Sequence, residues 1–100
     1  MTRPLGNSQR NLHSQHPPRN RLAKILPETW RQWLLEQGVP RRKYTAVCRA
    51  TLVDGRIIDA LVVEQGWIIA TDRTGLTGDA ERRIDFDPRT IQEMELLQFV

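Results

Sequence analysis

Residues 52–59 read Leu52-Val53-Asp54-Gly55-Arg56-Ile57-Ile58-Asp59, and this stretch decides the fold. Apolar residues stand on both sides of an Asp-Gly pair, and glycine takes the positive φ at which two strands reverse. Outward from it, residues 44–53 (YTAVCRATLV) and 56–63 (RIIDALVV) become the two strands of a hairpin. Two registers are open. A two-residue loop sets Leu52 opposite Ile57, Ala50 opposite Asp59 and Cys48 opposite Leu61, on a face that is apolar except for Asp59. A carboxylate is a poor buried group unless paired. A type I turn with a glycine bulge shifts the register by one and moves Asp59 out.

Further along, β-rich runs continue at 67–72 (WIIATD), 82–86 (RRIDF) and 91–97 (IQEMELL), separated by turn signals at Gln65-Gly66, at 73–81 and at Asp87-Pro88. Short strands at close spacing with turn residues between them predict an all-β unit. Strands two and three are apolar nearly throughout, which predicts cover on both faces: the sheet's own interior on one, the helix or another subunit on the other. Before the first strand, Pro27, Glu28, Gly38 and Pro40 punctuate a short helix. Proline suits its first position, Glu28 the positive end of its dipole, and Gly38 a left-handed cap. Trp30, Trp33 and Leu34 mark its apolar stripe.

Residues 1–21 hold two leucines as their only substantial apolar side chains, and 1–24 read as a disordered basic tail. Residues 25–100 then form one small domain, with roughly 75 to 80 residues for a core. The net charge of +3 hides a division: 1–43 carry nine Lys/Arg against Glu28 and Glu36, whereas 44–100 carry six against ten acids. No apolar run reaches the roughly 18 to 20 residues that span a bilayer, and no secretory signal is evident, so a cytoplasmic protein is expected. Cys48 is the only cysteine, which excludes an intrachain disulfide and predicts a small buried hydrophobe.

The segment 47–60 (VCRATLVDGRIIDA) resembles the first motif of the Sm-like family, within the SH3-like small barrels. The resemblance implies a mainly β fold: a short N-terminal helix followed by a five-stranded antiparallel barrel, with edge strands able to join copies into a ring. Ala60 stands where that family usually has glycine, and the family's RNA-contacting Asp and Asn have no counterpart in Glu64-Gln65-Gly66-Trp67. The family's RNA site is therefore not carried over.

Candidate chemistry is sparse. His13 and His16 lie in the tail without a third ligand, and Asp85 with Asp87 reads as solvated surface. There is no nucleophile elbow and no phosphate-cradling loop followed by a helix. An enzyme, a cofactor, a metal and a small-molecule substrate are not expected. The expectation is a non-enzymatic interaction module that binds a protein partner or associates with itself, with Trp30, Trp33 and Trp67 as candidate contacts. The other reading is RNA binding by Arg19, Arg21, Lys24, Arg31, Arg41, Arg42 and Lys43, because phosphate backbones attract such cations without sequence preference.

Overall fold

A computed structural model of the chain describes residues 20–76 and 83–99. Among those residues it is mainly β, with one antiparallel five-stranded sheet and one α-helix. The elements are β1 (Lys24–Ile25), α1 (Glu28–Glu36), β2 (Thr45–Leu52), β3 (Ile57–Glu64), β4 (Trp67–Ala70) and β5 (Ile91–Phe99), with single 3₁₀ turns at Arg73–Leu76 and Pro88–Thr90. Strand order is β1-β4-β3-β2-β5. The hydrogen-bonded ladder is open, so β1 and β5 are its edges.

Both registers weighed for the 52–59 hairpin are present, in different parts of it. At the tip Leu52 N–H donates to Arg56 O at 2.8 Å and Gly55 N–H to Leu52 O at 2.9 Å, with Gly55 at φ +93°. This is a type I turn closed by a glycine in the left-handed region, and it sets Thr51 opposite Ile57 and Ala50 opposite Ile58. Beyond Arg49 the pairing returns to Cys48 opposite Leu61 and Val47 opposite Val62. The offset is absorbed at Asp59-Ala60, two residues facing Arg49 alone, which is a β-bulge. Asp59 thereby stays in solvent beside Arg49 Nε at 3.8 Å, and Ile58, Ala60 and Leu61 all stay buried. The second reversal, Gln65-Gly66, has φ of +52° and +91°, the paired left-handed geometry of a tight hairpin.

The expected strand at 82–86 does not form. Among its described residues, Ile84 and Phe86 do point into the core and Asp85 out, a period of two without a ladder. The segment is held by side chains instead: Lys24 Nζ donates to Phe86 O at 2.9 Å, and Arg56 clasps Asp85 at 2.9 and 3.1 Å. The fifth place in the sheet belongs to Lys24–Ile25, which precedes the helix and pairs with Ile68 and Trp67. Two residues carry no periodicity, so composition gives no sign of them. Asn20 to Lys24, counted with the tail on sequence grounds, are thus part of the sheet's margin. Asn20 is buried; its Nδ2 donates to Ile69 O at 2.9 Å and its Oδ1 accepts from Leu22 N–H at 2.8 Å. Residues 1–19 lie outside the described residues.

The helix stops as its sequence dictates. Val39 N–H donates to Leu34 O and Gly38 N–H to Leu35 O, both at 3.0 Å, with Gly38 at φ +95°. These are the two bonds of a Schellman cap, and Val39 and Leu34 supply its apolar contact inside the core. Pro27 stands one place earlier than expected, as the capping residue with φ −56° and ψ 149°. The main core lies between α1 and the inner face of the sheet: Leu26, Leu34, Tyr44, Cys48, Leu61, Val63, Ile68, Ile84 and Phe86 belong to it, with Trp30 and Trp33 against its rim. Val62, Ile69 and Ala70 form a smaller cluster on the opposite face. Among the described residues the helix does not cover them. The turn Arg73–Leu76 does, with Gly75 lying on Ala70 and Val62. Among the described residues no helix is long and apolar enough to cross a membrane.

Candidate functional site

The strand Ile91–Phe99 is the longest strand among the described residues, and it has a strand neighbour there on one side only. It pairs with β2 in a register that sets Met94 opposite Ala50, Glu95 opposite Arg49 and Leu96 opposite Cys48. Register shifts leave Gln92 and Leu97 as extra residues, so the regular stretch is Glu93, Met94, Glu95 and Leu96. Met94 and Leu96 lean on the main core and are half-buried; Phe99, opposite Ala46, is 42% exposed. On the other face Glu93 and Glu95 stand two apart. Arg49 Nη1 meets Glu95 Oε1 at 3.0 Å, and the same guanidinium lies 3.8 Å from Asp59. One cation thus serves two carboxylates here, Glu95 and Asp59, and Glu93 makes no ion pair among the described residues. Among the described residues the free side of the strand offers a row of unpaired backbone groups, the usual template for adding a further strand.

A second region lies where β2 begins, at the end of the sheet that carries Phe99. Gln65 N–H donates to Tyr44 O at 3.2 Å, which places the 41–43 bend beside the Gln65-Gly66 turn. Arg41, Arg42 and Lys43 are exposed there, and Lys43 takes φ +54°. None of the three meets a carboxylate among the described residues. Arg31 does structural work instead: its Nε donates to Leu26 O at 2.9 Å and its stem lies against Gly66. Burial pushes the phenol of Tyr44 above its ordinary value, against the opposing pull of a Gly66 backbone hydrogen bond and the Arg31 charge. Lys24 is likewise engaged with Phe86, Arg21 is exposed, and Arg19 falls outside the described residues. Of the six candidate cations among the described residues, Arg41, Arg42 and Lys43 lie together and exposed, and Arg31 lies by the same Gly66 turn but is engaged with Leu26.

The three tryptophans also divide. Trp30 and Trp33 meet edge to face, with ring centres 5.7 Å apart at 84°, on the rim of the main core. Trp67 packs on the small cluster across the sheet, where its Nε1–H is buried with no acceptor among the described residues. Burial pushes the Cys48 thiol up to about 12, the behaviour of an inert core group. His13 and His16 lie outside the described residues.

A shallow groove runs between β1 and the Pro88–Thr90 turn, floored by Ile25, Pro27 and Pro88 and edged by Lys24, Asp87 and Arg89. Asp87 caps that turn by accepting from Arg89 N–H at 2.9 Å, and its carboxylate takes the Arg89 guanidinium at 2.8 Å. Those hydrogen bonds hold the Asp87 carboxyl down at about 2, below its usual 3.8. A depressed value favours the folded state above pH 4 or so, and that contribution is lost as pH falls through about 2. A carbon-detected carboxyl titration should therefore place the Asp87 midpoint near 2; a midpoint near 3.8 would mean the fork is not formed in solution.

Sequence reasoning named edge strands in general but not this edge. The available signal is the pair Glu93 and Glu95 at spacing two within an apolar strand, since charges at such positions mark strands that lack a neighbour. Among the described residues no three His, Cys, Asp or Glu side chains gather as metal ligands. The chain matches no protein-family model, no curated protein and no solved structure.

Proposed function

We propose that this chain is a non-enzymatic interaction module, which receives an extended segment of a protein partner alongside Ile91–Phe99. One observation carries the reading: a nine-residue strand with its outer side unpaired among the described residues, rimmed by the half-buried Met94 and Leu96 and the exposed Phe99. Added strands gain main-chain hydrogen bonds in such a place, and side-chain contacts on alternate positions give selectivity. We also read the sheet as an SH3-like barrel in open form. Ile84 and Phe86 join the same core as Leu26 and Ile91, which supports that reading. Work in the cytoplasm accords with this reading. Selection of peptides on the purified chain, followed by amide shift mapping, tests it. Selected peptides should perturb 91–99; perturbation confined to Trp30 and Trp33, or no selection at all, overturns it.

A second reading, RNA binding, has one observation in its favour: Arg41, Arg42 and Lys43 are exposed together without carboxylate partners among the described residues. Three phosphate contacts to a single strand give a salt slope of about −2 on logarithmic axes. Replacing all three by Gln should abolish that slope for an oligouridylate followed by anisotropy. An unchanged slope removes the hinge as the contact.

A further inference from the structure

We infer that the segment received by the open edge alternates basic and apolar side chains, with Lys or Arg at every second position. This deepens the edge-docking reading and rests on it. The regular part of the edge is Glu93, Met94, Glu95 and Leu96, between the two bulges. A strand laid beside it sends alternate side chains to the two faces of the sheet. On the face that carries Glu93 and Glu95, its side chains meet a carboxylate-rich row. Arg49 is shared between Glu95 and Asp59, and Glu93 makes no ion pair among the described residues. Three carboxylates thus stand against a single guanidinium, Glu93 is left without a cation among the described residues, and opposite charge across a strand pair is favourable. On the other face Met94 and Leu96 are half-buried at the rim of the main core, so apolar side chains at the intervening positions extend that core outward.

The same charges argue against a second copy of β5 as occupant. In an antiparallel pair of identical strands, the register of fullest overlap sets Glu95 against its own counterpart, and the registers shifted toward the start of the strand set Glu93 against Glu95 or against itself. Like charges directly opposite are destabilising. The acidic pair therefore disfavours those self-pairings while favouring a basic strand, which is how natural edges discriminate against wrong partners.

The test uses the full chain, isotope-labelled, and two capped peptides of about six residues, the usual strand length. One alternates lysine and valine, the other glutamate and valine. The basic peptide should shift the amides of Ile91–Phe99 and bind about ten-fold more tightly than the acidic one, with the preference shrinking as salt rises. In the double variant Glu93→Gln, Glu95→Gln the preference should fall to about two-fold or less. Equal binding of both peptides along 91–99 overturns the basic-partner inference and leaves the edge as a docking site. No shift along 91–99 with either peptide overturns the docking reading and the inference together. A preference that persists undiminished in the double variant assigns the selectivity elsewhere and likewise overturns it.

Discussion

Leu34→Ala is expected to destabilise the fold by about 3 kcal/mol, the middle of the range for emptying a fully buried leucine site. Leu34 is the one buried side chain of a nine-residue helix and has no exposed surface. A helix of that length is not stable by itself and exists here because it docks. Leu34 is also the apolar partner of Val39 in the cap, so truncation loosens the docking face and the stop together. Two readouts follow. In a domain this small the midpoint of thermal unfolding should drop by about 15 °C. Tryptophan emission should also move to longer wavelength, because Trp30 and Trp33 rest on the core beside it. The exposed Gln32→Ala on the same helix should change stability by no more than about 0.5 kcal/mol. A Leu34 variant that melts with the wild type would show that the helix does not cover the core in solution.

Gly75→Ala should cost about 2 kcal/mol for a single added carbon, as expected where a packed site cannot yield. A Cβ at this position falls on the Cβ of Ala70, with the Ala70 Cα 3.6 Å and the Val62 Cγ2 3.8 Å away. The obstacle is strand β4 itself and not the far end of a flexible side chain, so relief requires the Arg73–Leu76 turn to lift. Lifting it exposes Val62, Ile69 and Ala70, which that turn and its neighbours cover. The cause can be isolated. In an Ala70→Gly background the same substitution should cost clearly less, with a coupling energy of about 1 kcal/mol in a double-mutant cycle. Denaturant midpoints of the four chains decide it, and strictly additive costs would show that the turn does not lie on β4.

These two sites also show how far the residues alone carry the reader. The helix is legible because each of its signals acts within one or two turns: a proline before, a glycine after, and Leu34 at the right spacing between. The hairpin is legible for the same reason, since Asp54-Gly55 acts over four residues. The contact of Gly75 with Ala70 is not legible. It depends on how the chain returns across the outer face of the sheet, and a glycine in a turn looks the same whether it is required by φ or by contact. The run containing Ile84 and Phe86 misled for an instructive reason. Alternation reports that side chains face a core on one side, which is true of both residues, but it does not report whether the backbone has a partner. The opposite failure occurred at Lys24–Ile25, where the backbone has a partner and two residues are too few to alternate. As for the candidate edge, the strand Ile91–Phe99 is plain from composition, whereas its position at the margin follows only from the pairing order.

The bulge at Asp59-Ala60 has a consequence for chain length. Ala50 pairs with Ile58 on one side of it and Cys48 with Leu61 on the other, so two residues span a gap that one would fill. A chain lacking Ala60 would set Asp59 directly across from Arg49 and keep Ile58 and Leu61 facing inward. What it would lose is curvature, because the surplus residue is what bends and coils the ribbon there. The third strand thus carries a removable unit whose role is shape, and homologues shortened by one at this point would retain the same inside and outside on a flatter sheet.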